Sequence, residues 1–404
     1  MHWHDANFFA SPEIEWDPSH DTYLQRVERL GALSEALALS VPRGFPAFIQ
    51  TPRAWKGSQF YNPSKHIYIL SEDDLNEINS AIGKFSGKSP DPDQLTPRTF
   101  PLPTLARKLE HLSNIIHFGQ GFFVIRGLDP HRYSPSERVL AYAGITSYVG
   151  STRACQDAGG SKLSKNLTSK KTRSRNNRSS LVPNINPLQP FHTDVCDILA
   201  MYVQELAAEG GNFQLASSGQ VYNDIARDRP DVIHTLAANE WVFDKFSESP
   251  TWDVRPILLP FGSHGPSFFF SRRPLTGSAV APRTPGVPPM TERQAEALDM
   301  VHFTAVKHQL CLDAQKGDII IVNNLAVMHA RTAFTDGVPE KSSGRHVLRM
   351  WLRNEELAWP KPDIVKPIFD LKYSPDSPWC EKPVWHLEPP TVPERLLARK
   401  FSCS

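Results

Sequence analysis

Apolar residues recur three and four positions apart in several segments, a spacing that predicts amphipathic helices. These segments are 22–39, 71–85, 104–118, 136–149, 218–236 and a stretch that begins at 291. Ser71 before three acidic residues is typical of a helix start, and Thr291 with Gln294 forms a capping-box pattern. Pro230 should interrupt the helix in 218–236, because proline has no backbone N–H to donate.

Shorter apolar runs predict strands. They cover 121–127, 198–206, 316–331 and 345–353, and a hairpin is expected around 262–265. The run 316–331 is rich in β-branched residues and has His329 near its end. We therefore expect one core strand that delivers an imidazole at its end. Alternation along 345–353 places Arg345, Arg349 and Arg353 on one strand face.

The composition favours a β-rich α+β protein. The 404 residues include 36 prolines and 22 glycines, which imply many turns and argue against a helical bundle. Apolar residues make up 40% of the chain, enough to bury the core of one large domain.

Charge, hydropathy and cysteine spacing exclude several classes of protein. The chain has no apolar run long enough to span a membrane and no signal-peptide profile, so we expect a cytoplasmic protein with no membrane partner. A net charge of +1 argues against a nucleic-acid partner. The five cysteines lack C-x-x-C spacing, as expected for reduced thiols.

One short motif has the residue types of a metal site. His192 and Asp194 stand two positions apart at the start of an apolar run. On an extended strand such residues point to the same face and can reach one ion. The chain has 15 histidines, so about one His-x-Asp is expected by composition alone. The motif by itself therefore also fits a turn histidine beside a solvated aspartate.

Two later residues give the motif a chemical reason. His329 supplies a second imidazole, and two histidines with one carboxylate can occupy one face of an octahedral Fe(II) ion. The three remaining positions then accept a bidentate oxo-acid and O2. Arg345 follows 16 residues after His329. Its guanidinium can hold the distal carboxylate of 2-oxoglutarate in a two-pronged, charge-assisted pair.

The ordered set of motifs resembles the taurine dioxygenase-like (TauD/TfdA, clavaminate synthase-like) family of Fe(II)/2-oxoglutarate oxygenases, especially its fungal members. The resemblance covers residues 45 to 355. It depends on 100–103, 119–127, 191–194 with 196–200, 210–211, 221–224, 317–331 and 345–349.

This resemblance implies a double-stranded β-helix (jelly-roll) core surrounded by helices, with iron at one open end. It implies that His192, Asp194 and His329 are the iron ligands and that Arg345 binds 2-oxoglutarate. Arg349 matches a position that contacts an anionic substrate group in some members, and its alternative role is a partly buried ion pair. The expected reaction oxidises an aliphatic C–H bond of a small anionic or amino-acid-like substrate by hydroxylation, desaturation or cyclisation. The co-products are succinate and CO2.

One departure concerns the cosubstrate. The family often has Gly-Gly-x-Thr/Ser, whose hydroxyl binds 2-oxoglutarate, but here Phe213 takes the fourth position. Loss of a hydrogen bond to a charged group costs about 1.5–3 kcal/mol, so weaker cosubstrate binding is expected unless Asn212 or Gln214 substitutes.

The resemblance also suggests a domain organisation. Residues 1–44 should form an irregular or helical extension, 45–355 the oxygenase domain, and 356–404 a Pro-rich extension packed on the core. Within the domain, 151–186 should be a mobile basic loop, because 161–178 holds seven Lys or Arg residues and no acid. The loop is either a flexible insertion or a lid or anion-attracting rim at the site.

Two other functions and some other histidines need to be weighed. A Jumonji-type hydroxylase or demethylase shares His-x-Asp…His but typically uses lysine for 2-oxoglutarate. A catalytically weak or silent family member that acts as a binding or scaffold protein is the alternative from a different class. The partner is expected to be a small-molecule substrate, and the oligomeric state stays open, with a homodimer as one option. His302, His308 and His346 are expected at the surface or an interface.

Overall fold

The computed structural model describes residues 14–32, 38–86, 91–167, 185–246, 250–278, 281–336 and 344–385. Its helices are α1 (His20–Ala32), α2 (Glu72–Ser86), α3 (Leu105–Phe118), α4 (Pro135–Thr146), α5 (Ser218–Asp228), α6 (Pro230–Ala237), α7 (Arg273–Thr276), α8 (Glu292–His308) and α9 (Lys366–Tyr373). Its strands are β1 (Ile67–Ile69), β2 (Phe122–Arg126), β3 (Thr152–Arg153), β4 (Ser164–Leu167), β5 (Ile185–Asn186), β6 (Gln189–His192), β7 (Ile198–Glu205), β8 (Glu209–Gly210), β9 (Phe213–Ser217), β10 (Trp241–Asp244), β11 (Trp252–Arg255), β12 (Leu258–Pro260), β13 (Pro266–Phe268), β14 (Leu310–Cys311), β15 (Ile319–Asn323), β16 (Val327–Arg331), β17 (Phe334–Thr335) and β18 (His346–Arg353).

Helix ends follow the sequence signals. The Oγ of Ser71 accepts a hydrogen bond from the backbone N of Asp74 at 3.2 Å, one turn into α2. The capping box of Thr291 and Gln294 opens α8 as predicted. Pro230 separates α5 from α6 because it cannot continue the backbone ladder. Within the described ranges, no helix is long and apolar enough to cross a lipid bilayer.

The strands form two main sheets. The larger sheet has the order β1-β2-β15-β7-β18-β3, with β4 also hydrogen-bonded to β18. Its pairs are antiparallel except for β1 with β2. The smaller sheet has the order β14-β9-β16-β6 and is antiparallel throughout. A short third sheet has the order β5-β17-β8, and two hairpins pair β10 with β11 and β12 with β13.

Alternating side chains of the larger sheet enter different cores. In β15, Ile319 and Ile321 pack with α2, α3 and α4. Ile320 and Val322 instead share a core with Leu215 of β9, so the two sheets pack face to face. The opposite face of the smaller sheet packs on α5, α6 and α8. The predicted mixture of helices and sheets is confirmed, but more of the described residues lie in helices than in strands, so the chain is not β-rich. Strands covered on both faces explain the continuous apolar runs.

Three other sequence predictions need correction. The run 316–331 is not one strand, because β15 ends at Asn323 and β16 begins in the other sheet after a turn. The Oδ1 of Asn323 accepts a hydrogen bond from the backbone N of Leu325 at 3.1 Å and stabilises this turn. Part of the expected loop 151–186 is strand, since β3 and β4 pair with β18; residues 168–184 lie outside the described ranges. His302 and His308 are buried.

Candidate metal centre

Two strands of the smaller sheet bring the two predicted imidazoles together. His192 ends β6, and His329 is its direct partner on the antiparallel strand β16. Residues opposite each other on neighbouring strands project to the same face of the sheet. The two ring centroids lie 4.1 Å apart, with 51° between the ring planes. Residues 137 positions apart in the chain therefore present their rings to one point.

Asp194 lies beyond the end of β6, so strand alternation does not place it. The side chain of Asn324, in the turn between β15 and β16, does so through the backbone. Its Oδ1 accepts from the N of Asp194 at 2.8 Å, and its Nδ2 donates to the carbonyl oxygens of Asp194 and Cys196 at 2.6 and 2.9 Å. Asn324 is buried. Sequence reasoning used Asn324 only as part of the family resemblance and missed this role.

The carboxylate of Asp194 has one oxygen fixed and one free. Its Oδ2 accepts hydrogen bonds from Nη1 of Arg349 at 3.1 Å and from Nε1 of Trp351 at 2.9 Å. Its Oδ1 is buried without a hydrogen-bond partner and lies 3.8 Å from Nε2 of His192. A buried carboxylate oxygen without a donor is costly unless it meets a cation. The free oxygen therefore fits a metal ligand.

The ring of His192 is oriented by its own strand. Its Nδ1 lies 2.9 Å from the carbonyl oxygen of Pro190 and donates to it, which leaves the lone pair on Nε2. The amide Nε2 of Gln189 lies 3.1 Å from that atom, so Gln189 also borders the site. His329 has a buried Nδ1 with no hydrogen-bond partner.

The protonation states of the three side chains suit a metal. Burial lowers the pKa of His329 to about 3 and also lowers the pKa of His192. Burial alone would raise the pKa of Asp194, but Arg349 and the two histidines outweigh it and lower that pKa below its ordinary value. Two neutral imidazoles and an ionised carboxylate are the forms that metal ligation requires.

These residues fit a mononuclear iron site. Each of His192, Asp194 and His329 offers a ligand atom within 4.8 Å of the others, and the part of the chain that is described has no second such group of His, Cys, Asp or Glu. Two nitrogen donors and one oxygen donor on one side of a point are typical of non-haem Fe(II) with open coordination positions.

Arg345 lies in a pocket lined by Gly211, Phe213 and Phe334. Its side chain is buried, and its guanidinium carbon lies 4.9 Å from the ring centroid of Phe213 and 5.5 Å from that of Phe334. Gly211 has φ +72°, and a Cβ there would lie 3.2 Å from Cδ of Arg345, so the glycine leaves room for this side chain. No hydrogen-bond acceptor for the guanidinium is found among the described residues, and a buried cation in that state needs an anion.

The charged residues around Arg345 also favour the binding of an anion. Burial and, second to it, the nearby Arg331 lower the pKa of Arg345 to about 10, while Asp336 opposes the shift. Asp336 uses its Oδ1 to accept the backbone N–H of Arg345 at 2.8 Å. The pocket therefore holds two guanidiniums for one carboxylate.

Gln214 and Asn212, the residues expected to replace a hydroxyl at position 213, do not point toward Arg345. The amide Nε2 of Gln214 donates to Oε1 of Gln309 at 2.6 Å. Neighbouring residues of a strand face opposite sides, so this amide points away from the ring of Phe213. The side chain of Asn212 is exposed.

Arg349 contacts the candidate metal ligand Asp194. Besides its bond to Asp194, its Nε donates to Oε1 of Gln156 at 3.1 Å. Gln156 in turn donates from Nε2 to the carbonyl oxygen of Arg349 at 2.9 Å. Sequence reasoning missed Gln156 and Trp351. Trp351 could have been found, because it shares the strand face of Arg349 at a spacing of two residues.

Replacing Trp351 with phenylalanine should weaken iron binding by roughly tenfold or more, the range for lost outer partners of a ligand. The substitution keeps an aromatic ring but removes the Nε1 donor that fixes Oδ2 of Asp194. Anaerobic Fe(II) titration measures the change. Trp359→Phe is the matched control, because the buried Nε1 of Trp359 has no hydrogen-bond partner. Equal Fe(II) affinity in Trp351→Phe and the wild type would show that this hydrogen bond does not orient Asp194.

Comparison with known protein sequences agrees with this geometry. The model of the taurine catabolism dioxygenase TauD, TfdA family matches residues 89–351. The taurine hydroxylase-like protein SAT17 of Stachybotrys chartarum (strain CBS 109288 / IBT 7711) is 36% identical over 342 residues, which is 83% of this chain and 87% of that protein. FR-33289 synthase of Streptomyces rubellomurinus (strain ATCC 31215) is 22% identical over 312 residues, 74% of this chain and 89% of the synthase.

Solved structures share the fold. An asparagine oxygenase in complex with Fe(II), 2S,3S-3-hydroxyasparagine and succinate is similar with a TM-score of 0.53 and 18% identity, over 71% of this chain and 93% of that one. The non-heme iron oxygenase OrfP in complex with Fe, succinate and (3S)-hydroxy-L-Arg gives a TM-score of 0.50 and 13% identity, over 71% and 94%. Because the family model spans residues 89–351 and a relative with 36% identity covers most of the chain, this protein belongs to the TauD/TfdA family of dioxygenases.

Proposed function

We propose that this protein oxidises an aliphatic C–H bond of a small amino-acid-like or anionic molecule by hydroxylation, desaturation or ring closure. Its family makes it an Fe(II)/2-oxoglutarate-dependent dioxygenase, with O2 as cosubstrate and succinate and CO2 as co-products. The observation that carries the proposal is the convergence of His192, Asp194 and His329 in protonation states suited to a metal. The alternative of a silent scaffold protein is not favoured, because this ligand set is complete.

The paired strands β9 and β16 lead from His329 to the surroundings of Arg345. His329 pairs with Leu215, and two residues further along the ladder Arg331 pairs with Phe213, which touches Arg345. Two residues of a strand span roughly 7 Å, a distance comparable with the length of a five-carbon diacid. We therefore assign the 2-oxo acid end of 2-oxoglutarate to the metal and its distal carboxylate to Arg345. O2 is the oxidant; bound iron would activate it, and 2-oxoglutarate would supply two electrons as it is oxidised to succinate and CO2. The protein positions the reactants and limits side reactions.

Arg349 is our candidate for contact with an anionic substrate group. Its Nε and Nη1 are used by Gln156 and Asp194, while Nη2 makes no hydrogen bond with the part of the chain that the structure describes. A donor beside the metal ligands could orient a carboxylate or sulfonate. The asparagine oxygenase and OrfP are solved in complex with hydroxylated amino acids, which supports an amino-acid-like substrate.

We also propose that the two packed sheets form the double-stranded β-helix, or jelly roll, of an oxygenase domain at 45–355. Their shared core and the likeness to the asparagine oxygenase support this assignment. The described helices of the flanking extensions 1–44 and 356–404 pack on the domain: α1 contacts α8, and Phe369 and Tyr373 of α9 enter the core between the sheets. The free thiols of the described cysteines favour a reducing compartment such as the cytoplasm.

Substrate-stimulated succinate formation tests the proposed function. Purified protein with Fe(II), 2-oxoglutarate and O2 should release succinate faster when the correct amino acid or small organic acid is added. Mass spectrometry should then find that compound with one added oxygen, or with two hydrogens fewer. A panel of amino acids, sulfonates and small acids in which no compound raises succinate release above the substrate-free rate would contradict the proposed substrate class.

A further inference from the structure

We propose that Phe213 and Phe334 form an aromatic bracket that positions the guanidinium of Arg345 for the distal carboxylate of 2-oxoglutarate. The bracket takes the place of the hydroxyl that related sequences have at position 213. This inference rests on the proposed function, since it assigns a positioning role toward the cosubstrate to two residues outside the predicted site.

The geometry of the bracket is that of a cation beside two aromatic faces. The guanidinium carbon of Arg345 lies within 6 Å of both ring centroids, at 4.9 Å from Phe213 and 5.5 Å from Phe334. At such distances the ring quadrupole attracts the cation, more strongly when the pair is desolvated. Both rings are buried, and they come from different sheets, β9 and β17. The guanidinium is therefore held by two independent elements.

The bracket holds the arginine without using its hydrogen-bond donors. A carboxylate partner would also fix Arg345, but it would neutralise the charge and compete with the cosubstrate. An aromatic ring attracts the cation without accepting a strong hydrogen bond, so the N–H groups of the guanidinium stay available. Gly211 lies beside the bracket, and its missing Cβ gives space to Cδ and Nε of Arg345. The acidic neighbour Asp336 accepts the backbone N–H of Arg345 with Oδ1.

Arg331 strengthens the positive field of the pocket. Its guanidinium carbon lies 4.4 Å from the ring centroid of Phe334, so this ring contacts two cations. Arg331 donates to the carbonyl oxygens of Thr332 and Pro187 at 3.1 and 2.8 Å, which fixes it in place. Mutual repulsion between Arg331 and Arg345 is relieved when a dianion enters, which favours 2-oxoglutarate over a 2-oxo acid without a distal carboxylate.

A second arginine shows what distinguishes the bracket from ordinary packing. Arg255 lies 3.6 Å from the ring centroid of Phe243 and 4.6 Å from that of Phe269. Its Nη1, however, donates to the carbonyl oxygen of Phe269 at 2.6 Å. The same aromatic surroundings thus serve a structural arginine there, and Phe243 provides a matched control for Phe213.

The test measures binding of two ligands to the Fe(II)-loaded protein under anaerobic conditions. Phe213→Leu should raise the dissociation constant of 2-oxoglutarate by roughly threefold to thirtyfold, since it removes one cation–π contact. The dissociation constant of 2-oxobutyrate should change less than about twofold, because this ligand lacks the distal carboxylate that Arg345 would bind. The ratio of the two dissociation constants, 2-oxoglutarate over 2-oxobutyrate, should therefore rise. It should also rise in Phe334→Leu and with pentafluorophenylalanine at position 213, which keeps the ring but reverses its quadrupole. Phe243→Leu should leave the ratio unchanged.

The outcomes separate this inference from the proposed function. If the wild-type protein binds neither ligand with Fe(II), the proposed function fails. If the wild type binds 2-oxoglutarate and Phe213→Leu binds it equally well, the bracket is wrong. Equal weakening of both ligands would also overturn it, because a merely structural role does not depend on the distal carboxylate. Fe(II) affinity should be the same in all folded variants.

Discussion

His329→Ala is expected to abolish iron-dependent succinate formation. The substitution removes one of the three proposed ligands and leaves only His192 and Asp194 at the candidate centre. Loss of an outer partner of a ligand already costs about 10–100-fold, so loss of a ligand should reduce Fe(II) affinity by more than about 100-fold. Anaerobic Fe(II) titration and a succinate assay measure the two losses separately.

His302→Ala is the matched control for this prediction. His302 is also buried, but its Nδ1 accepts a hydrogen bond from the backbone N of Phe191 at 3.4 Å and it does not belong to the converging group. That variant should lose stability and keep its Fe(II) affinity. The metal-centre assignment would have to be abandoned if folded His329→Ala bound Fe(II) and formed succinate as the wild type does.

Arg345→Gln is expected to raise the dissociation constant of 2-oxoglutarate by roughly 30-fold to more than 1,000-fold. Truncation of one partner of a buried, hydrogen-bonded charge pair costs about 2–5 kcal/mol. Fe(II) affinity should stay unchanged, because Arg345 contacts none of the three ligands in the structure. Titration of the Fe(II)-loaded variant with 2-oxoglutarate, followed by its visible absorption band, provides the measurement.

The neighbouring Arg331 supplies the control. Arg331→Gln removes a positive charge from the same pocket, but the donors of Arg331 are already used by Thr332 and Pro187. Its effect on 2-oxoglutarate binding should stay below about tenfold, as for a charge that acts through the field alone. If Arg331→Gln weakened binding more than Arg345→Gln, the distal carboxylate would belong to Arg331 instead.

Much of the secondary structure could be read from the sequence. Periodicity located α2, α3 and α8, and the capping residues Ser71 and Thr291 marked the starts of α2 and α8, because these signals act within a few residues. The prediction of one strand in 316–331 was wrong, because hydrophobic periodicity cannot show that the chain passes from one sheet to another. Its break depends on Asn323 and Asn324, whose side chains bond to backbone groups of the turn and of the segment around Asp194.

The sequence by itself determined which residues could form the metal centre, because the chemistry of Fe(II) and 2-oxoglutarate restricts the residue types. His192, Asp194, His329 and Arg345 were identified in this way, and the structure brings the first three together. Only the tertiary structure decided what surrounds them. It placed Arg349 and Trp351 on Asp194, and it placed the ring of Phe213 beside Arg345 where a hydroxyl was expected. Contacts of this kind join residues far apart in the chain, and no local pattern encodes the distances between them.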